Sequence, residues 1–418
     1  MGEQDTSNDH RFNDVFSSLP TTVFEKMSRL AAEHCSINLG QGYPDREFEG
    51  PNRMKDEVAR SMREESNQYP PMMGIPELRQ AIANHSINAN VITADNVLIS
   101  LGATEALASS FLGLLNPGDE VIVFAPMYDS YIPMIKRAGA TVNTVPLSSP
   151  RWNFDEKALE AAFTPKTKLI VVNTPHNPTG KVFTNEELTT IAKVMEAFPS
   201  VIAISDEVYE HHVYPGESHK TLAQYPAVKD RCIRIGSAGK TFSFTDFKVG
   251  WVVSSNRFLV EAIAKAHQFL TFTVNSALQR AVAYGLRFEG DFYLGLGEML
   301  YKKRQYVEQR LTQIGFTVLP ANGTYFLIAD FAPLLPLLQN SNLPEQQGST
   351  SSGYDDVRFC TEMTINPGVT LIPVSAFYDN LKGAPKTLVR CVLCKTDEKL
   401  KAACDALERF FLMRVDAM

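Results

Sequence analysis

The sequence lacks the features that mark several common classes of protein. Its 40 Lys and Arg against 47 Asp and Glu give a formal net charge of -7, so it has no excess of positive charge for binding nucleic acid or an anionic membrane. It has no apolar run long enough to span a bilayer. Residues 1–13 lack the basic and apolar regions of a secretory signal and the arginine bias of a transit peptide. We therefore expect a cytoplasmic protein that binds small molecules, with neither nucleic acid nor membrane as a partner.

Cysteine is sparse as well, with six scattered through 418 residues, which favours reduced thiols over a disulfide framework. Cys391 and Cys394 form a C-x-x-C pair, but they lie in a predicted strand, where residues three apart point to opposite faces. The neighbours His211 and His212 diverge on any regular element, so they do not form a metal-ligand pair. The sequence thus predicts no metal site.

What is present indicates a large α/β protein. Hydrophobic residues make up 44% and charged residues 21% of a chain longer than one core usually serves. Between residues 77 and 297, helix-length segments alternate with short β-rich runs, which is typical of a mostly parallel sheet covered by helices on both faces. These runs are 96–100, 120–124, 168–173, 201–205, 232–235 and 249–254.

The domain organisation follows from a change in this rhythm. A helical stretch at 298–314 is followed by separated strands at 325–330, 370–373 and 387–394 and a closing helix at 397–412. We predict an N-terminal arm at 1–50 with a helix at 23–33, a three-layer α/β/α large domain at 51–305 and a smaller α+β domain at 306–418. Residues 339–354, rich in Ser, Gly, Gln and Asn, predict an exposed insertion within the smaller domain.

Several polar residues follow predicted strands, where α/β proteins bind their ligands. Lys240 comes after the run 232–235, Asp206 after 201–205 with Tyr209 three residues on, and Asn177 in a proline-rich turn after 168–173. Taken singly, Lys240 could be an exposed lysine, Asp206 a helix cap and Asn177 part of an ordinary turn. Together they predict a site at one edge of the sheet.

Other residues could bind anions. Ala103 and Thr104 follow a strand and open a helix, so backbone N–H groups, the threonine hydroxyl and the helix dipole can meet a phosphate, with Ser237 and Lys248 completing the cup. Arg390, in the predicted strand 387–394, has a guanidinium suited to bidentate binding of a carboxylate, although it could equally be a surface arginine. Tyr128 could stack on a planar ligand or simply pack.

Three motifs in a fixed order carry a resemblance to a known family. They are 177–180 (NPTG), 205–210 (SDEVYE) and 237–242 (SAGKTF), and 38–45 (NLGQGYPD) and 67–69 (NQY) support them. From residue 19 to residue 412 the chain resembles the class I, fold-type I aminotransferases that depend on pyridoxal 5'-phosphate (PLP), in the kynurenine/glutamine and methionine group. The resemblance implies their three-layer α/β fold, PLP as the cofactor and transaminase activity.

The resemblance also implies a role for each candidate residue. Lys240 would form the Schiff base with PLP and, with Asp206 and Tyr209, make up the catalytic set. Residues that would bind the cofactor are Ala103, Thr104, Tyr128, Asn177, Asp206, Tyr209, Ser237, Lys240, Lys248 and Tyr69, with Tyr69 reaching the neighbouring site of a homodimer. Residues that would bind the substrate are Gly42, Asn177, Arg390, Phe24, Tyr43 and Phe272.

Within that group, segment 267–276 is closer to methionine aminotransferases than to kynurenine enzymes, which usually carry His where Thr273 stands. We expect a ping-pong transfer from methionine, an aromatic amino acid including kynurenine, or glutamine to a 2-oxo acid. One alternative is a cysteine-S-conjugate β-lyase on the same fold, because deprotonation at Cα is common to both reactions. A second is a non-catalytic PLP-binding regulator, which would generally carry a basic DNA-binding domain, whereas about twenty residues precede the family-like region.

Overall fold

A computed structural model describes residues 13–86, 91–338, 354–379 and 383–416 of the chain. The predicted insertion at 339–354 lies outside these residues except for Tyr354, so its exposure stays a prediction. Within the described residues, no helix combines the length and apolarity needed to cross a membrane.

Helices and strands alternate through most of the described chain. The strands are β1 (Ile37–Asn38), β2 (Val97–Ser100), β3 (Glu120–Ala125), β4 (Thr141–Pro146), β5 (Thr167–Asn173), β6 (Ile202–Asp206), β7 (Cys232–Ser237), β8 (Gly250–Val253), β9 (Thr317–Val318), β10 (Phe326–Asp330), β11 (Val369–Thr370), β12 (Ile372–Pro373) and β13 (Leu388–Val392). The helices are α1 (Asp14–Ser17), α2 (Val23–Glu33), α3 (Asn52–Glu64), α4 (Pro76–His85), α5 (Gly102–Leu114), α6 (Tyr131–Arg137), α7 (Glu156–Ala162), α8 (Asn185–Glu196), α9 (Ala238–Thr241), α10 (Arg257–Leu270), α11 (Ser276–Phe288), α12 (Gly290–Leu294), α13 (Leu296–Ile314), α14 (Leu335–Leu338), α15 (Asp356–Ile365) and α16 (Asp397–Asp416).

The central sheet has seven strands in the order β2-β8-β7-β6-β5-β3-β4. Neighbouring strands from β7 to β4 are parallel, whereas β8 runs antiparallel to both β2 and β7. Every residue of β6 is buried, as expected for a strand covered on both faces. The predicted α/β architecture with a mostly parallel sheet is therefore confirmed.

The register of the sheet places three polar strand ends side by side. Asn173 at the end of β5 pairs with Asp206 at the end of β6, and Asp206 pairs with Ile235 near the end of β7. The short helix α9, which contains Lys240, begins directly after β7. Because carboxyl ends of parallel strands meet at one edge of a sheet, this topology assembles a polar site there.

The backbones of β8 and α5 approach each other closely at this edge of the sheet. Gly250 opens β8 and pairs with both Ser100 and Ser237. A Cβ atom on Gly250 would lie 2.5 Å from the carbonyl carbon of Gly102, the first residue of α5. Only glycine allows the sheet and the helix N-terminus to meet this closely.

A second, antiparallel sheet of four strands has the order β12-β13-β10-β9. The short strand β1 of the N-terminal region pairs in parallel with β11, which directly precedes β12 in the chain. One predicted strand needs correction here, and one strand of the central sheet was not predicted. The predicted strand 370–373 is divided between β11 and β12, which belong to different sheets, and β4 was missed because this edge strand is largely accessible and has no buried apolar run.

Candidate active site

A cavity of about 380 Å³ opens at the polar edge of the central sheet. The four-stranded sheet contributes Phe326 and Arg390 to its wall, and the N-terminal region contributes Phe24 and Tyr43. All the residues that the sequence predicted for the site line this cavity except Tyr69 and Phe272. The structure therefore brings together side chains that lie up to 366 positions apart in the chain, from Phe24 to Arg390.

Lys240 points its amine at two oxygen atoms. Its Nζ donates to the hydroxyl of Tyr325 at 2.8 Å and, more weakly, to the carbonyl of Gly42 at 3.4 Å. Burial lowers the pKa of Lys240 to about 8, and the positive charges of Arg390 and Lys248 act in the same direction. A substantial fraction of this amine is therefore neutral near physiological pH, as a nucleophile or base requires.

Tyr325 is a site residue that the sequence did not indicate. Besides accepting from Lys240, its hydroxyl donates to the carbonyl of Gly42 at 2.7 Å and lies 3.4 Å from the hydroxyl of Tyr209. Burial raises the pKa of both tyrosines, so both hydroxyls keep their protons. Tyr325 thus links Lys240 to the N-terminal segment that carries Gly42.

Asp206 is a buried carboxyl held by a tyrosine that the sequence also missed. Its Oδ2 accepts from the hydroxyl of Tyr131 at 2.6 Å, and its Oδ1 accepts from the backbone N–H of Val208 at 3.4 Å. Burial raises the pKa of Asp206 to about 6, although the hydrogen bond from Tyr131 opposes this effect. A cationic ligand atom facing this carboxyl would stabilise its ionised form against the cost of burial.

Arg390 and Asn177 form one polar unit. The Nη1 of Arg390 donates to the side-chain oxygen of Asn177 at 2.9 Å, and its Nη2 donates to the carbonyl of Gly40 at 2.8 Å. The guanidinium carbon lies 4.3 Å from the ring centre of Phe326 and 4.8 Å from that of Phe377. Its buried Nε has no hydrogen-bond partner among the described residues, so a donor is available to an incoming anion.

A second anion site lies at the start of α5. The first residues of this helix, Gly102, Ala103 and Thr104, line the cavity together with Ser237 and Lys248. The N–H groups of a first helical turn have no intrahelical partners, and the helix dipole favours a negative charge there. Backbone donors, two hydroxyls and an ammonium group thus make a phosphate-type cradle.

This set of residues fits the cofactor that the sequence resemblance implies. A phosphate suits the cradle at α5, a pyridine nitrogen suits the buried Asp206, and an aldehyde suits the partly neutral amine of Lys240. Tyr128 supplies an aromatic ring in the same wall. The guanidinium of Arg390 would suit a second anion, such as a carboxylate.

Tyr69 and Phe272 lie apart from the cavity of their own chain. Their rings contact each other edge to face, with centres 5.4 Å apart, and Tyr69 is 81% exposed. Phe272 follows the end of α10 in a left-handed conformation, with φ of 66°, which turns it away from the helix. Phe272 therefore does not line the cavity of its own chain, and its part in a substrate wall stays a prediction.

The chain is similar to known enzymes along nearly its whole length. Residues 36–407 match the family model described as aminotransferase class I and II. Methionine aminotransferase of Escherichia coli K12 is 36% identical over 94% of this chain and 96% of its own. Kynurenine–oxoglutarate transaminase of Dictyostelium discoideum is also 36% identical, over 94% of each chain. The structure of N-succinyldiaminopimelate aminotransferase from Mycobacterium tuberculosis superimposes with a TM-score of 0.85 at 37% identity, covering 95% of this chain and 99% of that one.

Proposed function

The chain belongs to the class I and II aminotransferases, a family dependent on pyridoxal phosphate, and we propose that its amino donors are methionine, aromatic amino acids including kynurenine, or glutamine. The acceptor is a 2-oxo acid, and the two half-reactions follow each other in a ping-pong order. The observation that carries this proposal is the pairing of Arg390 and Asn177 beside an apolar, aromatic wall.

Bound pyridoxal phosphate supplies an electron-withdrawing ring that stabilises the negative charge left at Cα after a proton is removed. In our proposal, Lys240 holds the cofactor through Nζ, and once released it takes the Cα proton at the same atom. Asp206, held by Tyr131, keeps the nitrogen of the ring protonated. Tyr209 and Asn177 bind its oxygen, and Ala103, Thr104, Ser237 and Lys248 bind its phosphate.

Arg390 fixes which face of the donor is presented. Its Nε and the second N–H of its Nη2 form one edge of the guanidinium, which can bind both oxygens of an α-carboxylate, while Asn177 at Nη1 orients the group. The carbonyl of Gly42 accepts hydrogen bonds from Lys240 and Tyr325. A carboxylate held at a fixed point places the Cα proton within reach of one amine.

The side-chain part of the cavity favours a neutral donor. Phe24, Tyr43 and Phe326 line it, and an apolar wall selects an apolar side chain. Among the described residues of the wall, the cations are Lys240, Lys248 and Arg390, all of which already have a proposed partner. Asp129 adds a carboxyl close enough to Arg390 for that cation to lower its burial-raised pKa. A donor with an acidic side chain would find no unassigned cation and would meet this carboxyl.

A donor panel tests this proposal. Methionine, phenylalanine, kynurenine, glutamine, glutamate and N-succinyldiaminopimelate are each supplied to the PLP-loaded enzyme without acceptor, and the loss of cofactor aldehyde absorbance is followed. We expect the neutral donors to react with kcat/KM at least about tenfold above glutamate, equivalent to roughly 1.4 kcal/mol. A preference for either acidic donor would refute the proposed specificity. Pyruvate release from a cysteine conjugate, measured in parallel, would indicate the β-lyase alternative.

We also propose that the enzyme is a homodimer in which Tyr69 reaches the neighbouring cofactor phosphate. Tyr69 and Phe269 are 81% and 85% exposed, and Leu270 and Phe272 expose much of their apolar surface close by in sequence. Large exposed apolar groups of this kind mark interaction surfaces. A second copy of the chain would cover them and explain why neither Tyr69 nor Phe272 lines the cavity of its own chain.

Two further proposals concern organisation and location. We propose an arm at 1–50, a large domain at 51–305 and a small domain at 306–418, supported by the separate seven-stranded and four-stranded sheets and by the pairing of β1 with β11. We also propose a cytoplasmic location, since all six cysteines are free thiols and Cys391 and Cys394 are both buried without a bond.

A further inference from the structure

A cluster of potential metal ligands lies outside the active-site cavity, where the end of α4 meets the loop after β6. It consists of His85, the last residue of α4, and of Glu210 and His211 in that loop. The Nε2 atoms of the two histidines are 3.1 Å apart. Glu210 Oε1 lies 3.9 Å from Nε2 of His211, and the ligand atoms of the three residues all lie within 4.8 Å of one another.

These separations are close to those of a zinc site. Zn–N bonds of about 2.0–2.1 Å in tetrahedral geometry place two ligand nitrogens about 3.3 Å apart and a nitrogen and a carboxylate oxygen about 3.4 Å apart. The observed 3.1 Å between the histidine nitrogens and 3.9 Å between His211 and Glu210 would change by a few tenths of an ångström, and the separation of His85 and Glu210, which is within 4.8 Å, would have to become about 3.4 Å. Three protein ligands leave a fourth position for water.

The surroundings hold the ligands in place. The Nη2 of Arg234 donates to Oε2 of Glu210 at 3.2 Å, which leaves Oε1 facing His211. The ring of Tyr293 contacts both imidazoles, with centres 5.3 Å from His85 and 4.5 Å from His211. The side chains of His211 and Glu210 are only 13% and 12% exposed. Supporting contacts of this kind orient metal ligands and raise affinity.

The charges also suit a cation. Glu207 and Glu210 carry two negative charges against the single positive charge of Arg234, which contacts both. Imidazole with one carboxylate suits zinc better than magnesium or calcium, which prefer oxygen ligands.

The neighbouring group of Glu207, Glu210 and His219 is a weaker candidate. Oε2 of Glu207 already accepts from Nε of Arg234 at 2.6 Å and lies 3.1 Å from Nε2 of His219. A metal there would displace a buried ion pair. The group of His85, Glu210 and His211 is therefore the better candidate.

We propose that His85, Glu210 and His211 bind one zinc ion, which joins α4 to the loop that follows β6. His211 is two residues from Tyr209 in the active-site wall, and Asp206 lies in the preceding strand. The ion is a structural cross-link between the cofactor-binding loop and the outer helix. Sequence spacing could not indicate it, because His85 and His211 are 126 positions apart.

Calorimetric titration of the PLP-loaded enzyme with Zn²⁺ tests the proposal, after treatment with a chelator. The variants are His85→Gln and His211→Gln, and the matched control is His34→Gln, at an exposed position away from the cluster. We expect one Zn²⁺ per wild-type chain and unchanged binding in the control. In each cluster variant the affinity should fall by more than the roughly 10- to 100-fold cost of losing a supporting outer contact. Absence of binding to the wild type, or equal binding by all the variants, would overturn the proposal.

Zinc K-edge X-ray absorption on the wild-type enzyme gives a test that does not depend on the variants folding. The expected first shell contains only nitrogen and oxygen, with the outer-shell scattering typical of two imidazoles. Sulfur in the first shell would place the ion on a cysteine and contradict the proposal.

Discussion

Burial and hydrogen bonding have opposite effects on the pKa of the Lys240 amine. Burial favours the neutral form and lowers the pKa to about 8, whereas the oxygens of Tyr325 and Gly42 favour the ammonium form. Since burial is the largest effect, the net shift is downward from 10.5. Burial therefore increases the neutral fraction of the Lys240 amine, and the hydrogen bonds orient it.

This balance predicts a pH dependence for cofactor attachment. The second-order rate at which the cofactor-free enzyme reacts with pyridoxal phosphate should fall about tenfold per pH unit below about 8 and level off above it. The reason is that only the neutral amine reacts, and its fraction falls as pH drops below the lowered pKa. Stopped-flow absorbance between pH 6 and 10 gives the profile. A rate still rising tenfold per unit at pH 9 would show an unshifted lysine.

Tyr325→Phe tests the hydrogen bonds separately from burial. Loss of the hydroxyl leaves the Gly42 carbonyl and the Lys240 amine with only their weak mutual contact at 3.4 Å, at a cost of about 1–3 kcal/mol. We expect kcat/KM to fall roughly 10- to 100-fold and the midpoint of the attachment profile to move to lower pH, because the ammonium form loses an acceptor.

Tyr354→Phe is the matched control, since it removes a tyrosine hydrogen bond to Glu362, and neither residue lines the cavity. Its rates and its profile should equal those of the wild type. If Tyr325→Phe behaved like this control, the positioning role of Tyr325 would be wrong.

The sequence revealed those site residues that follow strands and missed those whose partners are distant. Lys240, Asp206 and Asn177 each stand at a strand end within a recognisable motif. Tyr131 and Tyr325 have no such signal, because their roles depend on contacts across 75 and 85 positions, to Asp206 and Lys240. Only the folded chain brings these hydroxyls to the site.

At the scale of elements, prediction was accurate where a local signal marks the boundary. The helix predicted at 23–33 is α2, which begins where the Thr22 hydroxyl accepts from the backbone of Glu25 at 3.2 Å. Buried strands such as β5 and β6 were recognised within one residue of their ends, because their apolar runs are continuous. The edge strand β4 and the division of 370–373 between two sheets depend on partners that no local pattern specifies.

The contact between β8 and α5 predicts a defect from a single methyl group. Gly250→Ala would place Cβ 2.5 Å from Gly102 and 2.8 Å from the backbone nitrogen of Ala103, both backbone atoms of the phosphate cradle. The start of α5 must then move, and we expect the dissociation constant for pyridoxal phosphate to rise at least about tenfold.

Gly290→Ala provides the comparison, because its nearest outside atom is the Tyr293 hydroxyl at 3.5 Å, an ordinary contact. Cofactor titration by fluorescence should give the wild-type constant for this variant. Wild-type affinity in Gly250→Ala would show that the cradle does not depend on this close approach.

At the scale of the whole molecule, a single chain accounts for the cavity but leaves Tyr69 and Phe272 outside it. The proposed homodimer assigns them to the neighbouring site, so each active site would draw residues from two chains. Two variants with different defects should therefore complement each other within one dimer.

Mixing two inactive variants should restore activity. In a hybrid of Lys240→Ala and Tyr69→Ala chains, one site contains both defects and the other contains neither. We expect about a quarter of wild-type activity after unfolding and refolding an equal mixture together, because half of the dimers are hybrids and each has one intact site. The separately refolded variants serve as controls. No recovery in the mixture would mean that Tyr69 serves its own chain or neither.

Reductive trapping tests directly whether Lys240 holds pyridoxal phosphate in this aminotransferase. The cofactor-loaded enzyme is reduced with borohydride, digested and mapped by mass spectrometry, with Lys240→Ala treated alongside. We expect one phosphopyridoxyl group per chain, on the peptide containing Lys240, and none in the variant. Labelling of another lysine in the wild type, or multiple-turnover transamination by the variant, would contradict it.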